Sequence, residues 1–97
     1  MATVVYGAKA LLDLPRLFEF LAQHDQTSAV ASATAIRSAI EMLALHPLVG
    51  RKVGGDVREL VISYGRTGYL ALYRFVPALE VVRILSIRHQ REIGYIG

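Results

Sequence analysis

The stretch VRELVISYGRTGYLALYRFVPALEVVRILSI, residues 57–87, decides the fold of this chain. It contains three runs rich in β-branched, aromatic and other apolar residues, at 57–64, 69–76 and 80–87. Only the short connections GRTG (65–68) and PAL (77–79) separate these runs. Because connections this short join antiparallel neighbours, the stretch predicts a three-stranded meander.

The residues before the meander follow the period of a helix. We predict one helix that extends back to Ala10 and is disturbed at Pro15. Its apolar face comprises Leu14, Leu17, Phe18 and Leu21. A second helix is predicted from Thr27 to Leu45, with Thr27 and Ser28 as its cap. Its apolar stripe comprises Val30, Ala33, Ile36, Ile40 and Leu43.

The remaining segments complete the predicted order of elements. A short strand at 3–6 precedes the helices, and 47–56, which contains three glycines, is expected to be a loop. The order β-α-α-β-β-β predicts an α+β fold in which a helical hairpin packs on one face of a small antiparallel sheet. We expect residues 1–97 to form one domain, because a chain of this length has no room for a second core.

The predicted strands are apolar on both faces. In the second strand of the meander, Tyr69, Ala71, Tyr73 and Phe75 alternate with Leu70, Leu72, Arg74 and Val76. In the third strand, Val81, Leu85 and Ile87 are predicted on the face opposite to Val82 and Ile84. Two helices cover one face, so we expect the other to form an apolar groove for a partner. This predicted groove comprises Arg58, Leu60, Leu70, Leu72 and Arg74.

The charge of +3 is unevenly distributed along the chain. Residues 1–50 carry three Lys or Arg against four acids, a net of −1, whereas 51–97 carry eight against four, a net of +4. Nine of the eleven basic residues are arginine, which suits fixed contacts to phosphate or carboxylate. The basic half therefore favours an anionic partner, either nucleic acid or an acidic protein surface.

Several classes of protein are excluded or disfavoured by the composition. The chain has no cysteine, which removes disulfides and thiolate metal sites. No apolar run approaches the roughly 18–20 residues that a membrane helix needs, and no signal peptide is evident. We therefore expect a cytoplasmic protein with no membrane association, no metal site and no cofactor.

The sequence RHQREIGY, 88–95, follows the last predicted strand. That strand is expected to end near Ile87, because the next residues offer no apolar alternation. Arg88, His89, Arg91 and Tyr95 would then lie at the rim of the groove and contact an anionic or aromatic target. The ordinary pKa of histidine would also let His89 act as a general acid or base.

The order of elements and four motifs together resemble the RelE/ParE toxins of bacterial toxin–antitoxin systems. The motifs are HPLVGRKV (46–53), VREL (57–60), GYLALYRF (68–75) and RHQREIGY (88–95), so the resemblance covers essentially the whole chain. It implies a toxin neutralised by a cognate antitoxin that wraps around it. RelE-like members of the family cleave messenger RNA on the ribosome without metal, whereas ParE-like members bind and poison DNA gyrase.

Carrying the ribonuclease pattern over to this chain gives a mixed result. Arg58, Arg88, His89, Arg91 and Tyr95 match basic or catalytic positions. Leu60 and Leu70 stand where ribonuclease members carry basic residues, and leucine cannot stabilise phosphate charge. This favours a gyrase-directed toxin with no chemistry of its own. A ribosome-dependent endoribonuclease and an inactive, toxin-like interaction module are the alternatives.

Overall fold

Two helices and five strands make up the part of the chain that the computed structural model describes, residues 1–23, 25–64 and 67–90. The strands are β1 (Thr3–Tyr6), β2 (Arg51–Gly54), β3 (Val57–Tyr64), β4 (Thr67–Val76) and β5 (Val81–His89). The helices are α1 (Ala8–Ala22) and α2 (Gln26–Glu41), and short 3-10 turns occupy Met42–Ala44 and Pro77–Leu79. The predicted α+β order is confirmed, with β2 added to it.

The strands form one sheet in the order β1-β5-β4-β3-β2. The meander β3-β4-β5 is antiparallel, as predicted, but β1 pairs with β5 in parallel. The sheet is therefore mixed, and the prediction of a wholly antiparallel sheet is wrong at β1. The expected loop 47–56 is also wrong in part, because Arg51–Gly54 pairs with β3. All four residues of β2 are exposed, so the strand carries no apolar alternation that would reveal it.

Both helices are present, with boundaries that differ from the predicted ones. Helix α1 continues through Pro15, as expected, and begins two residues before Ala10. The carboxylate of Asp25 caps α2 by accepting hydrogen bonds from the backbone N–H groups of Thr27 and Ser28. The prediction that Thr27 and Ser28 form the cap is therefore wrong. Val30 is also misplaced, since it is 53% exposed and Ala29 occupies the buried position beside it.

The core lies between the helices and one face of the sheet. Tyr69, Ala71 and Tyr73 of β4 are fully buried, which confirms the face predicted for them. They pack in one cluster with residues of both helices and β5, namely Leu17, Ile36, Ile40, Val82, Ile84 and Ile87. We call this side of the sheet the helix face.

A β-bulge in β5 changes the faces that the sequence pattern predicted. Tyr73 pairs with Ile84, but its neighbour Leu72 pairs with Ser86, so Leu85 is the extra residue. After the bulge the alternation is shifted by one residue. Ile87 is consequently buried with Ile84 on the helix face, and its predicted place beside Leu85 and Val81 is wrong.

Candidate functional site

The side of the sheet away from the helices has an apolar centre surrounded by charged side chains. Residues that pair directly across antiparallel strands share a face. The pairings of β4 with β3 and β5 therefore define this open face, which includes Val57, Glu59, Val61, Leu70, Leu72, Arg74, Val76, Val81, Arg83, Ser86 and Arg88. Leu70 and Leu72 are half-buried at its centre, and Val61 is exposed.

Ion pairs lie along the β2–β3 side of the open face. The Arg74 Nε atom is 2.9 Å from an Asp56 carboxylate oxygen, and an Arg51 Nη atom is 2.8 Å from Glu59. The Arg51 side chain is largely accessible to solvent and the Arg74 side chain is partly accessible, so these pairs contribute little to stability. Their guanidinium groups can therefore exchange an internal carboxylate for one on a partner.

The five residues predicted for the groove do not share a face. Leu70, Leu72 and Arg74 lie on the open face. Leu60 pairs with Ala71 and is only 8% exposed, so it belongs to the helix face and the core. Arg58 pairs with Tyr73 and also lies on the helix side. The predicted placement of Arg58 and Leu60 in the groove is therefore wrong.

Arg58 holds the segment that leads into β2. Its Nη1 atom donates to the carbonyl oxygens of Leu48 and Gly50, at 3.0 and 2.7 Å. The Gly50 N–H in turn donates to the Tyr73 hydroxyl at 2.8 Å. A Cβ atom on Gly50 would lie 2.7 Å from the Tyr73 ring, so only glycine fits here without movement. The motif HPLVGRKV is thus tied to the sheet through its backbone, and Arg58 has a structural role.

His89 is buried at the end of β5. The strand continues to His89, so the predicted end near Ile87 is wrong. The imidazole ring is 5.7 Å from the Phe20 ring and 5.2 Å from the Tyr69 ring, between centroids, and His89 is only 4% exposed. The bulge brings His89 to the helix face opposite Tyr69, which contradicts the expectation of an exposed histidine at the groove rim.

The other residues predicted to bind the target are divided by the sheet or fall outside the described residues. Arg88 is half-buried on the open face opposite Leu70. Arg91 and Tyr95 lie outside the described residues. The structure therefore separates Arg58 and His89, on the helix side, from Arg88, on the open face. Within residues 1–23, 25–64 and 67–90, no group of three acidic or histidine side chains could hold a metal ion.

A buried carboxylate on α1 was not identified from the sequence. Asp13 is 4% exposed, and its Oδ2 atom accepts the backbone N–H of Ile87 at 2.9 Å. Lys9 and Arg16 flank it at 3.1 and 3.2 Å. The available signal was an acid in the helical stripe between Ala10 and Leu17, where the pattern calls for an apolar residue.

Comparisons with known proteins agree with this architecture. A family model described as the ParE toxin of the type II toxin–antitoxin system parDE matches residues 4–94. Toxin RelE3 of Caulobacter vibrioides is 36% identical over 92 residues, which cover 95% of this chain and 98% of the relative. Toxin RelE1 of the same organism is 31% identical over 90 residues, covering 92% of this chain and 97% of the relative.

Two solved structures share the fold. The chromosomal ParDE system from P. aeruginosa matches with a TM-score of 0.73 and 19% identity, over 92% of this chain and 96% of the other. The intact E. coli RelBE toxin–antitoxin complex matches with a TM-score of 0.66 and 14% identity, over 95% and 100%. The family match spans nearly the whole chain, and the relatives match over almost their full length. This chain belongs to the ParE toxin family of type II toxin–antitoxin systems.

Proposed function

We propose that this toxin inhibits growth by binding and poisoning DNA gyrase in the cytoplasm, without chemistry of its own, and that a cognate antitoxin neutralises it. The observation that carries the choice of mechanism is the burial of His89 between two aromatic rings, 4% exposed. A ribonuclease needs a base and several cations that reach the same phosphate. A histidine enclosed in this way is poorly placed to reach a ribose hydroxyl.

The distribution of cations supports the same proposal. Arg58 bonds to two backbone carbonyls on the helix side, whereas Arg88 lies on the open face. Two further positions that would carry cations in a ribonuclease are Leu60, in the core, and Leu70, at the centre of the open face. A surface with Leu70 beside Arg88 suits a protein target, since an apolar centre with arginine at its edge is typical of protein interfaces.

The open face also supports an antitoxin as partner. Leu70 and Leu72 provide apolar area, and the solvent-accessible guanidinium groups of Arg74 and Arg51 form ion pairs with Asp56 and Glu59. We propose that an antitoxin segment with apolar and acidic residues covers this face. A wrapping segment would bury well over about 1,500 Å² in total, more than many standard interfaces. Coexpression with the neighbouring open reading frame should therefore increase the soluble yield and abolish toxicity, and a toxin unaffected by that neighbour would contradict this part of the proposal.

The mechanism is tested by inducing the chain alone from a tightly repressed promoter. We expect growth arrest with a DNA-damage response, and no codon-specific cuts in ribosome-bound messages. Arg88→Ala should weaken both growth arrest and the damage response. Arg83→Ala is the matched control, because Arg83 is on the same face of the same strand but pairs with Arg74, away from the proposed target contact of Leu70 and Arg88. Translation arrest with cleaved messages and no damage response would establish the ribonuclease alternative instead.

A further inference from the structure

The outer edge of β5 is covered by a strand along only part of its length. β1 pairs with residues 81–84 of β5, and the Gly7 N–H donates to the Ile84 carbonyl oxygen at 2.9 Å. β5 continues to His89, but the chain turns into α1 at Ala8. Backbone groups of β5 beyond Ile84 that face away from β4 therefore need other partners, because an unpaired buried peptide group is costly.

Two side chains of α1 supply these partners at Ile87. Asp13 accepts the Ile87 N–H at 2.9 Å, and the Arg16 Nη2 atom donates to the Ile87 carbonyl oxygen at 3.1 Å. The same Arg16 nitrogen is 3.2 Å from the Oδ1 atom of Asp13, and the Lys9 ammonium is 3.1 Å from the Oδ2 atom of Asp13. Together these side chains provide the acceptor and the donor that a neighbouring strand would have provided. We call Asp13 and Arg16 the β5 clamp.

The clamp holds Ile87, which lies two residues beyond the bulge residue Leu85. The bulge lies at Leu85, so the register of the strand changes between Ile84 and Ser86. Loss of the bulge would shift the following residues by one and exchange their faces. Arg88 would then turn towards the helices and His89 towards the open face. Hydrogen bonds that hold the N–H and the carbonyl oxygen of Ile87 would oppose this exchange.

We infer that Asp13 and Arg16 are positioning residues for target binding, because by holding Ile87 they keep Arg88 on the open face. This inference rests on the proposed function only in taking Arg88 as a target contact. A buried carboxylate is expensive unless it is paired and hydrogen-bonded. An apolar residue at position 13 could have packed in the same stripe, so the carboxylate is explained by its bonds to the backbone of β5 and to the two cations beside it.

The test compares Asp13→Ala, which removes the acceptor, with Asp13→Asn, which keeps one acceptor oxygen. Ile36→Ala is the control for general destabilisation, since Ile36 is a core residue of α2. Growth inhibition, gyrase inhibition and antitoxin affinity are measured at a temperature where every variant is folded. Amide hydrogen exchange of Ile87 and Arg88 in the folded protein reports the local state of β5.

We expect Asp13→Ala to accelerate amide hydrogen exchange at Ile87 and Arg88. It should also raise the toxin level needed for growth inhibition at least about tenfold, because a factor of this size corresponds to the loss of one charge-assisted hydrogen bond. Asp13→Asn should restore much of the loss, and Ile36→Ala should lower growth inhibition far less than Asp13→Ala. If Asp13→Ala does not fold, Arg16→Ala tests the same clamp, because the Arg16 side chain is 43% exposed and less critical for the core. A smaller loss, about threefold, is expected for it.

Equal losses for Asp13→Ala and Ile36→Ala at equal stability would reduce the clamp to a structural role and overturn the inference. Normal growth inhibition by folded clamp variants would overturn it as well. If the wild-type toxin stops growth but does not inhibit gyrase, the proposal that gyrase is the target fails. The role of the clamp is then judged from growth inhibition by the variants. Gyrase inhibition that persists unchanged in the variants would reject the clamp alone.

Discussion

Two buried tyrosines on β4 allow the same substitution to be compared at two sites. Tyr73 and Tyr69 are both fully buried on the helix face, four residues apart on the same strand. The Tyr73 hydroxyl accepts the buried Gly50 N–H at 2.8 Å, whereas within the described part of the chain the Tyr69 hydroxyl has no hydrogen-bond partner. Tyr73→Phe therefore removes a buried hydroxyl that is hydrogen-bonded, and Tyr69→Phe removes a buried hydroxyl that has no such bond among the described residues.

The two substitutions are expected to change the free energy of unfolding by different amounts and in opposite directions. Tyr73→Phe leaves the Gly50 N–H buried without an acceptor, which costs about 1–3 kcal/mol. Tyr69→Phe removes a buried hydroxyl that makes no bond, so we expect a change between about zero and 1 kcal/mol of stabilisation. The difference of about 2 kcal/mol corresponds to roughly 8–16 °C in Tm for a domain of this size.

Urea denaturation followed by circular dichroism measures both variants against the wild type. Comparable m values would indicate that the wild type and both variants expose similar surface on unfolding, so that their free energies of unfolding can be compared. The reasoning is refuted if the two variants are destabilised equally, or if Tyr69→Phe is the less stable of the two. Either result would mean that the hydroxyl bonds assigned to these residues do not determine their contribution.

Three further predictions concern stability. Gly50→Ala should cost about 1–3 kcal/mol in a thermal melt, because the added methyl group would lie 2.9 Å or less from a buried ring and a backbone carbonyl oxygen. Leu60→Lys places a charge in the core and should destabilise the protein by more than about 3 kcal/mol or prevent folding. Leu70→Arg places its charge on the open face and should change stability by less than about 1 kcal/mol. Similar urea midpoints for the two variants would contradict the faces assigned to these residues. Hydrogen bonds from Ser28 to the Asp25 carboxylate lower the pKa of Asp25 below its ordinary value of 3.8. The ionised carboxylate therefore stabilises the folded state at pH values above 3.8, and this stabilisation is lost as the pH falls through the lower pKa of the folded state. The difference in Tm between the wild type and Asp25→Asn, which keeps the cap without the titration, should therefore change below about pH 4 and stay constant above about pH 6.

The sequence was sufficient for features that depend on regular periodicity. The predicted strand 57–64 coincides with β3, and both helices and the order of the meander were confirmed. The face shared by Tyr69, Ala71 and Tyr73 was also correct, because β4 has no bulge and its alternation is uninterrupted. An apolar pattern records burial directly, so elements that are regular and half-buried are predictable from it.

The predictions fail where the structure is determined by a backbone irregularity or by a contact between residues far apart in the sequence. Nothing in VVRILSIRH marks Leu85 as the residue of the bulge, and that one residue moves both Ile87 and His89 to the other face. The parallel pairing of β1 depends on β5, far away in the sequence. Asp13 was overlooked for a similar reason, because its partner is a backbone group of residue 87, and side-chain patterns do not report backbone partners.

The most direct test of the central claim is a supercoiling assay with purified toxin and purified gyrase. We expect the wild type to inhibit supercoiling and to trap cleaved DNA, Arg83→Ala to behave like the wild type, and Arg88→Ala to be much weaker. Addition of the cognate antitoxin in equal amount should restore supercoiling. Unchanged supercoiling at every toxin concentration, together with cleavage of messenger RNA on programmed ribosomes by the same preparation, would contradict the account.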